Sequence, residues 1–160
     1  MKKLSIVLLL SIFVAACFAR LPEIPTLNEV ELPTLNGEAE IWSSVNYADK
    51  PVLMVFMGSW CPWCKRTLPA LNALQEKYGD KIEIVGVFMD STPGPVRDVL
   101  KEHDAHIKAL FNGSEVAEGL GISGVPYSIL FNKKHQAIKI WEGFSPTLEE
   151  EFDEQVKRVL

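Results

Sequence analysis

The stretch Val52-Leu53-Met54-Val55-Phe56-Met57, followed by Gly58-Ser59-Trp60-Cys61-Pro62-Trp63-Cys64, decides how the rest of the chain is read. Its first six residues are an unbroken apolar run of strand length, which suits a central strand buried on both faces. From Pro62 to Tyr78, Leu68, Leu71, Leu74 and Tyr78 recur at steps of three and four, the spacing of one helix face. Gly79 supplies the stop. The cysteines therefore fall where a strand turns into a helix, with Pro62 in the first helical position, where the N–H it lacks would go unpaired anyway. Unpaired backbone N–H groups and the positive end of the helix dipole stabilise a thiolate there, so Cys61 is the candidate nucleophile. Cys64 lies three residues on along the same face, within disulfide reach but shielded by the first turn, and is the candidate resolving thiol. Attack by Cys61 on a partner disulfide, then by Cys64 on the mixed disulfide, would release the partner reduced.

Working outward, Leu27–Leu32 and Glu38–Trp42 around the turn-prone Asn36-Gly37 predict an opening hairpin. Ile82–Met89 predicts a second buried strand, and the turn residues Ser91–Pro95 lead into a polar helix over Val96–His106. Short segments follow at Lys108–Phe111 and Ser114–Leu120, then strands over Tyr127–Asn132 and Ala137–Gly143. Ser145-Pro146 with Glu149 and Glu150 opens a last helix reaching Leu160. An alternating strand and helix half followed by a hairpin and a helix makes an α/β sandwich.

The apolar strand, Trp60-Cys61-Pro62-Trp63-Cys64 and a helix carrying Pro69 together resemble thioredoxin-fold proteins, in particular the exported TlpA/ResA-like branch, over residues 27–160. The resemblance implies a three-layer sandwich with a central mixed sheet flanked by helices and an N-terminal hairpin. It also implies a thiol-disulfide oxidoreductase without metal or cofactor, acting as a reductant of exported protein substrates and fed by an upstream thiol donor. Proline inside a helix costs about 3 kcal/mol, so Pro69 needs a tertiary reason, and helices of this family bend there. Gly124-Val125-Pro126-Tyr127 resembles the family's cis-proline loop, which faces the two cysteines. That match implies that the Val125 backbone pairs with an extended partner segment and that Pro126 shapes the docking loop.

Two departures from cytosolic thioredoxins stand out. Pro62-Trp63 replaces Gly-Pro between the cysteines, and Val55 occupies the strand position of the buried acid. Asp90, at the end of the next strand, is the candidate replacement proton acceptor, with a turn aspartate as the plainer reading. Trp60, Pro62 and Trp63 are candidates for partner contact, although Trp60 could equally pack beneath the motif. Lys65 and Arg66 would lower the thiol pKa if they faced it, and would do nothing to it if they faced water. Trp42 and Trp141 read as core or sheet surface.

The chain has 160 residues, 48% of them hydrophobic and 23% charged, a composition that excludes wholesale disorder. Its formal charge is −5, and loss of a leader carrying Lys2 and Lys3 would leave 14 basic against 21 acidic residues, or −7, which disfavours nucleic-acid partners. Three cysteines are too few for a stapled scaffold. Residues 1–16 read as a signal peptide and 17–26 as a tether, and Val14-Ala15-Ala16-Cys17 resembles the bacterial lipobox. That resemblance implies lipidation of Cys17, attachment to a membrane, and residence in a bacterial periplasm or cell envelope. Cleavage near Ala19 is the alternative. Three rival readings remain: a zinc site joining Cys61 and Cys64 to His103 and His106, a copper chaperone using Met57, and a redox-inactive binding module. Only two residues separate the histidines, short of the usual zinc spacing.

Overall fold

The structure is a computed structural model and describes residues 26–160. The expected leader, Cys17 and all of the tether but Thr26 lie outside the described residues. The strands are β1 (Glu31–Thr34), β2 (Gly37–Ser43), β3 (Val52–Met57), β4 (Glu83–Phe88), β5 (Lys108–Leu110), β6 (Tyr127–Phe131) and β7 (Ala137–Glu142). The helices are α1 (Pro62–Tyr78), α2 (Pro93–Glu102), α3 (Ser114–Gly119) and α4 (Leu148–Val159).

All seven strands join one sheet in the order β2-β1-β5-β4-β3-β6-β7. β3, β4 and β5 run parallel, whereas β6, β7 and the β1–β2 hairpin pair antiparallel, so the sheet is mixed. β3 lies inside the sheet, between β4 and β6, and every residue of it is buried. Because side chains alternate across a strand, Leu53, Val55 and Met57 join one core, and Val52, Met54 and Phe56 the other. The first core is roofed by α1, α2 and α4 through Leu68, Leu71, Val96 and Phe152. The second is closed by α3 and by a short 3-10 turn at Ser44–Tyr47, through Ala117 and the Trp42–Tyr47 stack. This is the expected three-layer sandwich.

The expected elements shift in three places. Leu27 does not open the hairpin; its N–H donates to the carbonyl of His135, 2.9 Å away, and Thr26 bridges Gln136, so that segment straps the β6–β7 turn. α2 begins at Pro93 instead of Val96, since Pro93 and Pro95 lack donors only where a helix's first N–H groups go unpaired. It stops at Glu102 because Asp104 takes a left-handed φ of +49°, and the N–H groups of Asp104 and Ala105 close back on Lys101 and Leu100. That is a Schellman stop made without glycine. α4 begins at Leu148, after Ser145 Oγ has captured the Thr147 N–H at 3.2 Å in a tight turn. Gly79 does end α1, but with φ −55°; a Cβ there would fall 2.6 Å from the Gln75 carbonyl oxygen. Close approach, and not a left-handed backbone, requires that glycine.

Candidate active site

β3 delivers the chain to a turn in which Cys61 N–H donates to the Gly58 carbonyl at 3.0 Å. Cys61 is then the N-cap of α1, with extended dihedrals of −88° and 114° and Pro62 immediately inside the helix. Cys61 and Cys64 form a disulfide with Cα atoms 5.2 Å apart. Cys61 Sγ accepts the Cys64 N–H at 3.2 Å, so the sulfur occupies the capping position and receives the donor that a thiolate would use. Both cysteines are buried within the first core, at 3% and 1% exposure, so what little exposure the pair keeps lies at the Cys61 edge.

That edge is framed by Val125, whose carbonyl oxygen lies 3.6 Å from Cys61 Sγ. The Val125–Pro126 peptide is cis. The Pro126 carbonyl accepts the N–H of Gly143 at 2.8 Å, which ties this loop to the turn after β7. Gly143 takes φ +76° there, and the chain continues directly into Phe144.

Trp60 does not pack beneath the motif. Its ring lies back over Gly58, where a Cβ would come within 2.6 Å of it, and two thirds of the side chain remains exposed (66%). Trp63 is also exposed, at 53%, and stacks on Phe144 with ring centroids 5.9 Å apart and planes 22° apart. The Arg66 guanidinium lies over the Trp63 ring, 4.7 Å from its centroid. Trp42 and Trp141, read from the sequence as core or sheet surface, are both buried.

Asp90 sits beside the motif, but its carboxylate is engaged. Oδ2 accepts the Ser59 N–H at 3.0 Å and Oδ1 accepts the Ser59 hydroxyl at 2.5 Å. The Asp90 carbonyl in turn accepts the Asn112 N–H at 2.7 Å, so the loops after β3, β4 and β5 are pinned together. Ser59 and Phe144 were not singled out from the sequence. Ser59 had a local signal, two residues ahead of the nucleophile; Phe144 had none. Next to Pro126, burial and then the nearby Glu142 carboxylate push the Tyr127 hydroxyl above its ordinary pKa. Val55 is fully buried, and Met57 is core.

The histidines of the zinc reading lie elsewhere. His106 N–H donates to Asn72 Oδ1 at 2.9 Å, which sets that segment at the level of Asn72, about 12 Å along α1 from Cys64 at 1.5 Å per residue. Among the described residues no group of three or more His, Cys, Asp or Glu side chains is gathered as for a metal ion.

The sequence model of the thioredoxin-like family matches residues 49–137, more than half of the chain and the whole span from the Asp49 turn through β6. The chain belongs to the thioredoxin-like family. A thioredoxin-like protein of Haemophilus influenzae is 32% identical over 120 residues, spanning 72% of this chain and 69% of its relative. The thiol-disulfide oxidoreductase ResA of Bacillus thuringiensis subsp. konkukian is 28% identical over 116 residues, 71% of this chain. The match spans 66% of that relative's length, just under two thirds. A solved structure from Chlorobium tepidum, described as a thiol:disulfide interchange protein DsbE, superposes with a TM-score of 0.77 over 87% of this chain and 98% of its own, at 22% identity. The family and fold expected from the sequence are those observed. No helix among the described residues is long and apolar enough to cross a membrane.

Proposed function

We propose that this thioredoxin-like protein is a thiol-disulfide oxidoreductase that reduces disulfides in exported proteins. The single observation that supports the reading best is Cys61 at the N-cap of α1 in a disulfide with Cys64. In the reduced protein the Cys61 thiolate attacks one sulfur of the partner disulfide, and the other leaves as a thiolate. Cys64 then attacks Cys61, the partner leaves as a dithiol, and the Cys61–Cys64 disulfide carries the oxidation. An upstream thiol donor restores the dithiol, so two electrons pass per turn. Val125 and Pro126 border the nucleophile, with Trp60, Pro62 and Trp63 as the partner-facing surface, and the Val125 carbonyl 3.6 Å from Cys61 Sγ supports a docking role. With Asp90 occupied by Ser59, the proton-acceptor role has less support than an anchoring one. The leader over residues 1–16 supports export to a periplasm or envelope, and the lipobox at Cys17 supports lipid attachment there.

Redox titration of the purified protein against glutathione and dithiothreitol, followed by thiol alkylation and mass, tests this. A midpoint near about −270 mV supports a reductant, and one near about −120 mV marks an oxidant. No disulfide at any poise would return the pair to metal binding. In the same preparation Cys64→Ser is expected to accumulate mixed disulfides with partner proteins and Cys61→Ser none; equal trapping by both would overturn the role assignment.

A further inference from the structure

Arg66 lies one turn along α1 from Trp63; its guanidinium sits over the Trp63 ring, and that ring in turn stacks on Phe144. A guanidinium carries its five N–H donors in one rigid planar fork, and a contact with an aromatic ring engages none of them in a hydrogen bond. Arg66 is exposed, and neither it nor Lys65 takes part in any ion pair among the described residues, whereas Lys77 at the far end of the same helix is bonded to Asp153. The Asp90 carboxylate beside the motif is held by Ser59 and makes no bond to Arg66. A pre-oriented, unpaired fork of donors on a rigid aromatic shelf fits a planar carboxylate. The chain as a whole is acidic at −5, so this cationic rim runs against the molecule's net field. Two exposed tryptophans, Trp60 and Trp63, flank the cysteine, and the Val125 carbonyl lies 3.6 Å from its sulfur, a surface that suits a polypeptide partner.

We propose that Arg66, braced by Trp63 and Phe144, selects partner polypeptides that carry a carboxylate side chain beside the cysteine under attack. The inference rests on the oxidoreductase reading and names the partner chemistry of that same site. Arg66 is here a specificity determinant, acting on the partner and not on the electron count of the exchange.

The test uses two synthetic peptides with the same internal disulfide and one aromatic residue, differing only in whether glutamates or lysines flank the cysteines. Stopped-flow tryptophan fluorescence follows their reduction by the dithiol form of the protein. The glutamate peptide is expected to react about three- to tenfold faster at low salt, with the ratio falling toward one near 0.5 M salt. Arg66→Glu is expected to bring the ratio below one, and Arg66→Lys to keep it above one but reduced. Any effect of these changes on the Cys61 thiolate acts equally on both peptides and cancels in the ratio. Equal rates in the unmodified protein, or a ratio that Arg66→Glu leaves unmoved, would overturn the proposal while leaving the oxidoreductase reading intact. Failure to reduce either peptide, in protein whose own disulfide dithiothreitol still opens, would overturn both.

Discussion

Glu83 and Cys61 lie at opposite ends of the same parallel strands, and their surroundings differ in kind. Glu83 pairs with Val52, where β3 begins, and is buried. Its carboxylate accepts the Trp42 indole N–H at 3.0 Å and the Lys108 ammonium, which also donates to the Tyr47 hydroxyl at 2.8 Å. Burial pulls the Lys108 pKa down, but the bonds to Glu83 and Tyr47 outweigh it and leave the group raised. The C-terminal end of α1 is tied at this same end, through Lys50 to the Gly79 carbonyl and through Lys77 and Tyr78 to Asp153. Where β3 ends, by contrast, tryptophans stand in solvent and Arg66 has no partner. One end of the sheet ties its charged groups to one another; the other, apart from the Asp90–Ser59 pin, sets exposed aromatic rings and an unpaired guanidinium around a reactive bond. Stability is concentrated at the first and chemistry at the second.

The comparison can be broken most directly at Glu83. Glu83→Ala leaves the buried indole N–H without an acceptor and is expected to cost about 2–4 kcal/mol in urea unfolding. The disulfide's potential should stay within about 10 mV; a larger shift would mean the two ends are coupled. Next in size is Asp90→Ala, which frees Ser59 and is expected to cost about 1–2 kcal/mol. Unlike the first change it should make the potential less negative, by up to about 30 mV, because the loop it releases carries the disulfide. An unchanged potential would show that the pin is structural only.

Trp60→Ala sharpens the other side. Stability should change by no more than about 0.5 kcal/mol. Reduction of an unfolded disulfide protein should slow several-fold while reaction with dithiothreitol holds, and parallel losses would argue against a docking role. The smallest effect is expected at Asp153. Hydrogen bonds from Lys157, Lys77 and Tyr78 hold its carboxyl far below the ordinary 3.8. A depressed folded-state pKa gives stability that is present above about pH 4 and is lost as pH falls below it. Asp153→Asn should therefore flatten the acid limb of the stability profile below pH 4 and leave the neutral-pH potential alone.

What the sequence made legible follows from range. β3 and α1 were readable because six unbroken apolar residues and a three-four spacing are local patterns, and the cysteine pair lies between them. Pro126 was readable through its company, not through its isomer. The Ser59–Asp90 pin joins residues 31 apart, and Trp63 meets Phe144 only after β7 has folded back, so neither contact leaves a mark in the local pattern. The hairpin slipped because Leu27 found its partner at His135, far along the chain. α2 ended early on an aspartate, a residue whose left-handed conformation composition does not announce.

Thr26 and Leu27 also fix the end of the sheet at which the described chain enters the fold. They join the sheet at the turn beyond Phe131, and Phe131 pairs with Val52, so the chain comes in at the end where β3 starts. α1 then carries its 17 residues, about 25 Å, between that end and Cys61. A surface that held the chain at Thr26 itself would stand at the opposite pole from the reactive bond, like the foot of a lamp post. A disulfide presented to a protein held that way would reach the cysteines from the side facing away from the support.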